Sequence, residues 1–311
     1  MTYWPLLNKA LSSGARKGWG GFVWMIKILV PISFLTAVLA WSGWLERSDF
    51  LLQPIMSWLS LPPAAALPLL IGVLTGIYGA IAAMVVLPLS KEQMTLIAIF
   101  LLIAHNLIQE GVVQGKSGLH PAKATIFRLS AAILTVMISA LFFDTSATPL
   151  VETGPAGIVT HSFAELMGNW LLSMSHLSAK IFVIIMSLLI LLEVLKSLGW
   201  IDYFVRLCQP LLRTLGLSDR AGILWMTAAV FGLAYGAAII VEEAKEGHLD
   251  KEELEELHLS IGINHALVED PALFLALGLN AFWLWIPRLI TAMLAVRLLS
   301  LWRILSRTRQ S

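Results

Sequence analysis

The sequence predicts an all-α polytopic membrane protein of two inverted-topology repeats, with re-entrant or broken helices and interfacial helices. Three observations predict it. The 311 residues are 58% hydrophobic and only 13% charged, about half the charge of an ordinary soluble domain. The second half repeats the first. At an offset of 156, Gly43-Trp44 falls on Gly199-Trp200, Gln53-Pro54 on Gln209-Pro210 and Gly76 on Gly232. At an offset of 160, Lys91-Glu92 falls on Lys251-Glu252, His105 on His265, Gly118-Leu119 on Gly278-Leu279 and Arg128-Leu129 on Arg288-Leu289. Between 91 and 136 that offset gives 13 identities in 46 positions, polar residues among them. Internal repeats in a membrane chain mark many secondary-transporter folds. The third observation is that basic residues gather on one side when each repeat crosses three times.

The elements follow in order. Residues 1–19 form an amphipathic segment with Lys9, Arg16 and Lys17 and no cleavable signal pattern. Repeat one takes 20–143, a linker with an interfacial helix 144–177, repeat two 178–303, and a basic tail 304–311. Apolar length predicts spans near 20–43, 64–88, 121–143, 179–198, 221–241 and 281–302. Polar residues interrupt 93–112 and 257–279, which are expected to be broken hairpins. Segments 48–61 and 201–217 are short, amphipathic and interrupted by the matched Gln-Pro, as interfacial helices would be; 160–176 is a third such segment, placed like residues 4–18.

Topology follows from the basic residues. If 93–112 and 257–279 each dip in and return, an N-terminus inside puts sixteen basic residues inside, among them Lys91, Lys116, Lys123 and those from Lys196 to Arg220. Arg47, Lys180, Lys245, Lys251 and Arg288 are left outside. That is a strong positive-inside bias. An odd number of crossings makes the repeats antiparallel, with both termini cytoplasmic in a cell inner membrane. The polar run 242–256 (EEAKEGHLDKEELEE) then lies outside, as a solvated helix with i,i+4 charge pairs.

The candidate site lies at the same place in both repeats: His105, Asn106, Gln109 and Glu110 in the first, Asn264, His265, Glu269 and Asp270 in the second. On a helix His105 and Gln109, or His265 and Glu269, share a face one turn apart. Asp270-Pro271 reads as an N-cap and first-turn proline of a new helix, and Gly111 as the equivalent break. Irregular backbone deep in a bilayer must be buried or line a cavity, and ion and substrate sites are often built that way. Ionisable groups there each cost at least about 2.5–3.5 kcal/mol. The imidazole and carboxylate groups suit a divalent metal held by His105, Glu110, His265, Glu269 and Asp270, or a coupling ion such as H+ or Na+.

Secondary candidates are Tyr78, Tyr235, Arg128 and Arg288, the arginines being also of the kind that snorkels from helix ends. Gly72-x3-Gly76 and Gly232-x3-Gly236 permit close helix packing. Glu193 is one turn from Lys196, and most of the 12 Trp are expected at the membrane interface. Net charge of +1 excludes a basic nucleic-acid footprint, and the single Cys208 excludes an internal disulfide. No phosphate-binding Gly-x4-Gly-Lys-Ser/Thr and no His-Glu-x2-His occurs, so neither a P-loop NTPase nor a metalloenzyme is expected.

The half-motifs His-x3-Gln-Glu-Gly and Asn-His-x3-Glu-Asp-Pro, with the Gly/Tyr-rich span before them, resemble the nucleoside-recognition or Gate domain family. Each half is similar to one of the paired spore-maturation membrane proteins A and B, here joined over about residues 20–140 and 178–303. The resemblance implies inverted repeats, re-entrant hairpins and membrane transport. The wider superfamily includes the membrane part of ferrous-iron transporters and relatives of concentrative nucleoside transporters. This chain lacks the GTP-binding domain and cysteine-bearing membrane motifs of the iron transporters. The expected function is a secondary transporter or permease for a small polar, nucleoside-like solute or a cation. The bilayer, the solute or ion and a homo-oligomer are the partners considered. The alternative is a non-transporting assembly or scaffold protein whose polar groups form a structural plug.

Overall fold

The computed structural model describes residues 4–116, 118–144, 162–200, 214–231, 239–243 and 249–308, with Tyr203, Leu207, Pro210, Leu212 and Glu246. Among them the secondary structure is helical, without strands, and the protein is an all-α polytopic membrane protein. Helices α1 (Trp4–Trp41) and α8 (Phe163–Ser197) pack antiparallel along their lengths. A Cβ on Gly14 would lie 2.6 Å from Ile190 Cα, and the rings of Phe34 and Trp170 are 5.5 Å apart. Shifting Gly14 and Phe34 by 156 gives Trp170 and Ile190, so these are one contact made twice. That relation is a two-fold axis perpendicular to the helices and hence in the membrane plane. The repeats are inverted.

A helix of 38 residues is about 57 Å long, well beyond a hydrocarbon core of about 30 Å. Residues 4–18 and 163–176 are therefore ends of long helices rather than separate interfacial helices, and the expected boundaries at 19 and 177 fall inside α1 and α8. Next comes α2 (Trp44–Trp58), which runs uninterrupted through Pro54, whose ring is exposed. From there the chain turns by 82° into the following segment. Most of 201–217 lies outside the described residues.

Helices α3 (Ala66–Thr75) and α4 (Ile77–Met84) form a re-entrant hairpin that folds back at Gly76, φ 102°. A Cβ on Gly72 would sit 3.0 Å from Ala80 Cβ, and one on Gly79 2.7 Å from Ile71 Cγ2. Residues eight apart on one continuous helix are separated by about 12 Å, so the arms must be antiparallel. The small residues allow that approach, as the Gly72-x3-Gly76 pattern predicts.

Helices α5 (Lys91–Ala104) and α6 (Leu107–Lys116) form one broken span, started by a capping box between Ser90 and Gln93. The antiparallel α7 (Pro121–Ala140) packs along both: a Cβ on Gly115 would meet Pro121, and Arg128 reaches the break. In the second repeat, α9 (Asp219–Phe231) matches α3. The broken span is α10 (Lys251–Asn264) with α11 (Glu269–Leu275), and α12 (Ala281–Thr308) is the last helix. Its capping box, Asp250 with Glu253, repeats the first at an offset of 160. Left-handed positions repeat too: Gly43 with Gly199, Ser60 with Gly216, Asn106 with Ala266, Gly118 with Gly278.

Among the described residues the roles of two segments are exchanged relative to the hydropathy expectation. Segment 64–88 is the hairpin and 93–112 the broken span; 257–279 likewise runs from face to face. Apolarity misleads here because α4 has no exposed residue and α3 exposes only apolar Leu70 and Leu74 near its end beside Thr75, whereas α10 opens with Glu252, Glu253, Glu255 and Glu256.

That exchange moves loops between faces. On one face Glu193 binds Lys17 and Ser13 rather than only its helical neighbour, Lys123 binds Glu255, and Arg303 binds Glu252, Glu255 and Glu256. The starts of α1, α7 and α10 and the ends of α8 and α12 therefore share this face. Residues 251–256 are the first turns of α10, paired to α7 and α12, and Lys251 lies on the same face as Lys17, Lys123 and Arg303 rather than opposite it. Lys91 leaves it: Gly278, at the far end of α11, would place a Cβ 4.0 Å from Lys91 Nζ on the opposite face. Several Trp are exposed as interfacial anchors should be, but Trp225 is buried, its Nε1–H donating to Ser260.

Candidate functional site

Both broken spans open in the same way. His105 and His265 end their half-helices in extended backbone, and Asn106 and Ala266 follow at φ 47°. For Ala266 that conformation costs about 1–2 kcal/mol. Hydrogen bonds to α9 and α3 hold it: Ala266 N–H donates to Ala228 O and Leu267 N–H to Ala229 O, while Asn106 N–H donates to Gly72 O. The breaks fall at 105–106 and 265–266, so His105 shares no helix with Gln109, and Gly111 lies inside α6. Helix α11 starts at Glu269, with Val268 in the cap position and Asp270 in its first turn. Asp270 is therefore free to face the cluster rather than cap.

Ending a helix inside a bilayer strands carbonyls, and the matched arginines take them. Arg128 donates through Nε to Ile103 O at 2.8 Å and through Nη2 to His105 O at 3.1 Å. Arg288 donates through Nη2 to Ile263 O at 2.8 Å and His265 O at 2.9 Å. Each is 1% exposed, so neither snorkels. Each also sets a cation against the negative end of a half-helix.

The two histidines meet between the repeats. His105 Nδ1 is 2.7 Å from Leu101 O and His265 Nδ1 is 3.1 Å from Ile261 O. A carbonyl only accepts, so both Nδ1 atoms carry hydrogen and donate. The Nε2 atoms face each other at 3.3 Å, and Glu110 Oε1 lies 3.1 Å from both. Neutral imidazoles and a carboxylate bring only lone pairs to that point, and a shared proton or a metal cation would turn their repulsion into attraction. Glu110 Oε2 is bound by Arg128 Nη1.

The second repeat is built less completely. Asp270, the counterpart of Glu110, is one methylene shorter. Its Oδ2 lies 3.6 Å from His105 Nε2 and makes no hydrogen bond, and Arg288 Nη1 likewise has none among the described residues. Both amide atoms of the fully buried Asn264 are also unmatched there. His105, His265 and Asp270 offer ligand atoms within 4.8 Å of one another, a set able to hold a metal ion.

Of the expected residues, the structure thus gathers His105, Glu110, His265 and Asp270, with Arg128 and Arg288 behind them and Asn264 beside His265. It does not gather Asn106 and Gln109, which bond each other at 3.0 Å on the exposed side. Glu269 stands apart, accepting from Tyr78 Oη at 2.7 Å. Tyr235 and Gly232-x3-Gly236 lie outside the described residues. The arginines' role as helix caps has one sequence signal, the matched spacing by which each follows its histidine by 23 positions.

A cavity of ≈ 220 Å³ lies among Met84, Leu87, Met94, His176, Lys180 and Leu277, toward the face of Lys91. A second, of ≈ 10 Å³, is lined by Glu269 and α8, about enough for one water.

Comparison with known proteins places this architecture. The chain is 26% identical over 298 residues to the uncharacterized membrane protein YvoD of Bacillus subtilis (strain 168), covering 93% of each chain. No solved structure matches it. The family model described as Gate, nucleoside recognition, matches residues 22–148 and again 178–300, once per repeat. The chain belongs to the Gate (nucleoside recognition) family of membrane proteins.

Proposed function

We propose that this protein is a secondary permease for a small polar solute or a cation, with its site where the two broken spans meet. One observation carries the reading: an ionisable cluster of His105, Glu110, His265 and Asp270 is buried at the pseudo-two-fold with more acceptors than donors. A static plug has every reason to satisfy itself, because an unmatched polar group in a bilayer core is costly. The cavity of ≈ 220 Å³ beside the α3–α4 hairpin lies on the side of Lys91 and is lined by none of the four cluster residues, so solute access requires a rearrangement. Two inverted repeats around one site suit alternating access by rocking of one against the other. The face bearing Lys17, Lys123 and Arg303 is the cytoplasmic one by the positive-inside rule, which puts both termini inside, in a cell inner membrane. We read the protein as a transporter and not an enzyme, and the family's description puts nucleosides among the solutes to test.

The second reading, a scaffold whose polar groups only fix repeat pairing, is favoured by the closed Arg128–Glu110 pair. Uptake by proteoliposomes distinguishes the two, with a panel of nucleosides and mono- and divalent cations as solutes. Protein-dependent flux of one class, lost in His265→Ala, is the expected result. No flux of any class from correctly folded protein would leave the scaffold reading standing.

A further inference from the structure

We infer that His105, His265 and Asp270 form a binding site for one borderline divalent transition-metal ion, of the class of Zn2+, Fe2+, Mn2+ or Co2+. The inference rests on the reading of the paired breaks as a binding site and names the ion that site takes. Four features of the geometry support it.

The donor set is of the right kind. Two imidazoles and one carboxylate are the common ligands of such ions in sites that keep a position open. The spacing also fits. Metal bonds of about 2.0–2.1 Å place tetrahedral ligands about 3.3–3.4 Å apart. The two Nε2 atoms are 3.3 Å apart and His105 Nε2 is 3.6 Å from Asp270 Oδ2, and all three ligand atoms lie within 4.8 Å of one another.

The outer partners are those a metal site needs. Ligating histidines donate their second ring N–H to a carbonyl or carboxylate, which fixes the ring and aims the other nitrogen at the metal. Leu101 O and Ile261 O do this here. Arg128 holds Glu110 by Oε2 while Oε1 faces both histidines, so Glu110 is placed as a fourth donor or as counter-charge.

Finally, Asp270 Oδ2, buried and without a hydrogen bond, is directed at the histidine pair. A plug would have used this oxygen, whereas a ligand position leaves it available.

The test is equilibrium binding to the purified full-length protein in detergent, with Co2+ as spectroscopic probe and Zn2+ as competitor. The expected result is one Co2+ per chain with the visible absorption of a low-coordinate nitrogen and oxygen site, displaced by Zn2+. His265→Ala and the nearly isosteric Asp270→Asn should each weaken binding by more than about 100-fold, since even outer partners account for about 10–100-fold. Wild-type protein that binds neither ion, leaving the histidines to share a proton alone, overturns the assignment whatever the variants do. Undiminished binding in folded Asp270→Asn and His265→Ala overturns it as well. Binding without flux of any solute would instead leave the metal site in place and refute the permease reading.

Discussion

Arg128 and Arg288 stand 160 positions apart and grip the same pair of carbonyls in their own repeats, those of Ile103 and His105 and of Ile263 and His265. What differs is the remaining nitrogen. Arg128 Nη1 is ion-paired with Glu110 Oε2, whereas Arg288 Nη1 has neither an ion pair nor a hydrogen bond among the described residues.

That difference predicts unequal sensitivity. Arg128→Ala leaves Glu110 as an unpaired buried charge, a loss of about 3–5 kcal/mol. Arg288→Ala strands carbonyls but no salt-bridged carboxylate and should destabilise less. Thermal melting in detergent compares them, and a larger loss for Arg288→Ala would contradict this account.

Asp270→Glu should do the reverse. One more methylene lets the carboxylate reach Arg288 Nη1 as Glu110 reaches Arg128. A charged hydrogen bond contributes about 1.5–3 kcal/mol, so the melting temperature should rise while Co2+ binding and flux fall. A variant that is both unchanged in stability and fully active would show that the two repeats do not work unequally.

Close packing of α1 on α8 gives a third prediction. A Cβ at Gly14 would meet Ile190 Cα at 2.6 Å, a backbone atom that cannot swing aside, whereas a Cβ at Gly20 meets nothing within 4 Å. Gly14→Ala should cost about 1–3 kcal/mol, and Gly20→Ala should be neutral or slightly stabilising, since alanine is the better helix former. Melting curves of the two variants decide it, equal stability being the contrary result.

The topology is open to labelling. Single cysteines at Lys123, Lys251 and Lys196 should react with a membrane-impermeant reagent from one side, and one at Lys91 from the other. A cysteine pair replacing Lys123 and Glu255 should be bridged within one chain by a short bifunctional thiol reagent, since the two native side chains meet. Labelling of Lys91→Cys and Lys251→Cys from the same face would contradict the crossing of α5–α6.

By itself the sequence determined that the chain is helical and membrane-embedded, that it is a repeat, and that the repeats are inverted. Composition reports burial in lipid, matched polar residues report a duplicated fold, and an odd crossing number does not depend on which segments cross. It also marked His105, Glu110, His265 and Asp270, because ionisable groups in apolar runs stand out. Which segments cross was decided by tertiary structure. A window of hydropathy reads 66–84 as one apolar length, and only the meeting of Gly72 with Ala80 shows that it folds back. The same holds for the site. Asn106 and His105 are neighbours in sequence, yet the left-handed turn between the half-helices directs His105 to His265 and leaves Asn106 to Gln109. Local spacing on a helix could not foresee this, because the helix ends at the histidine, and it ends there because Arg128 and Arg288 arrive from other helices to take its carbonyls.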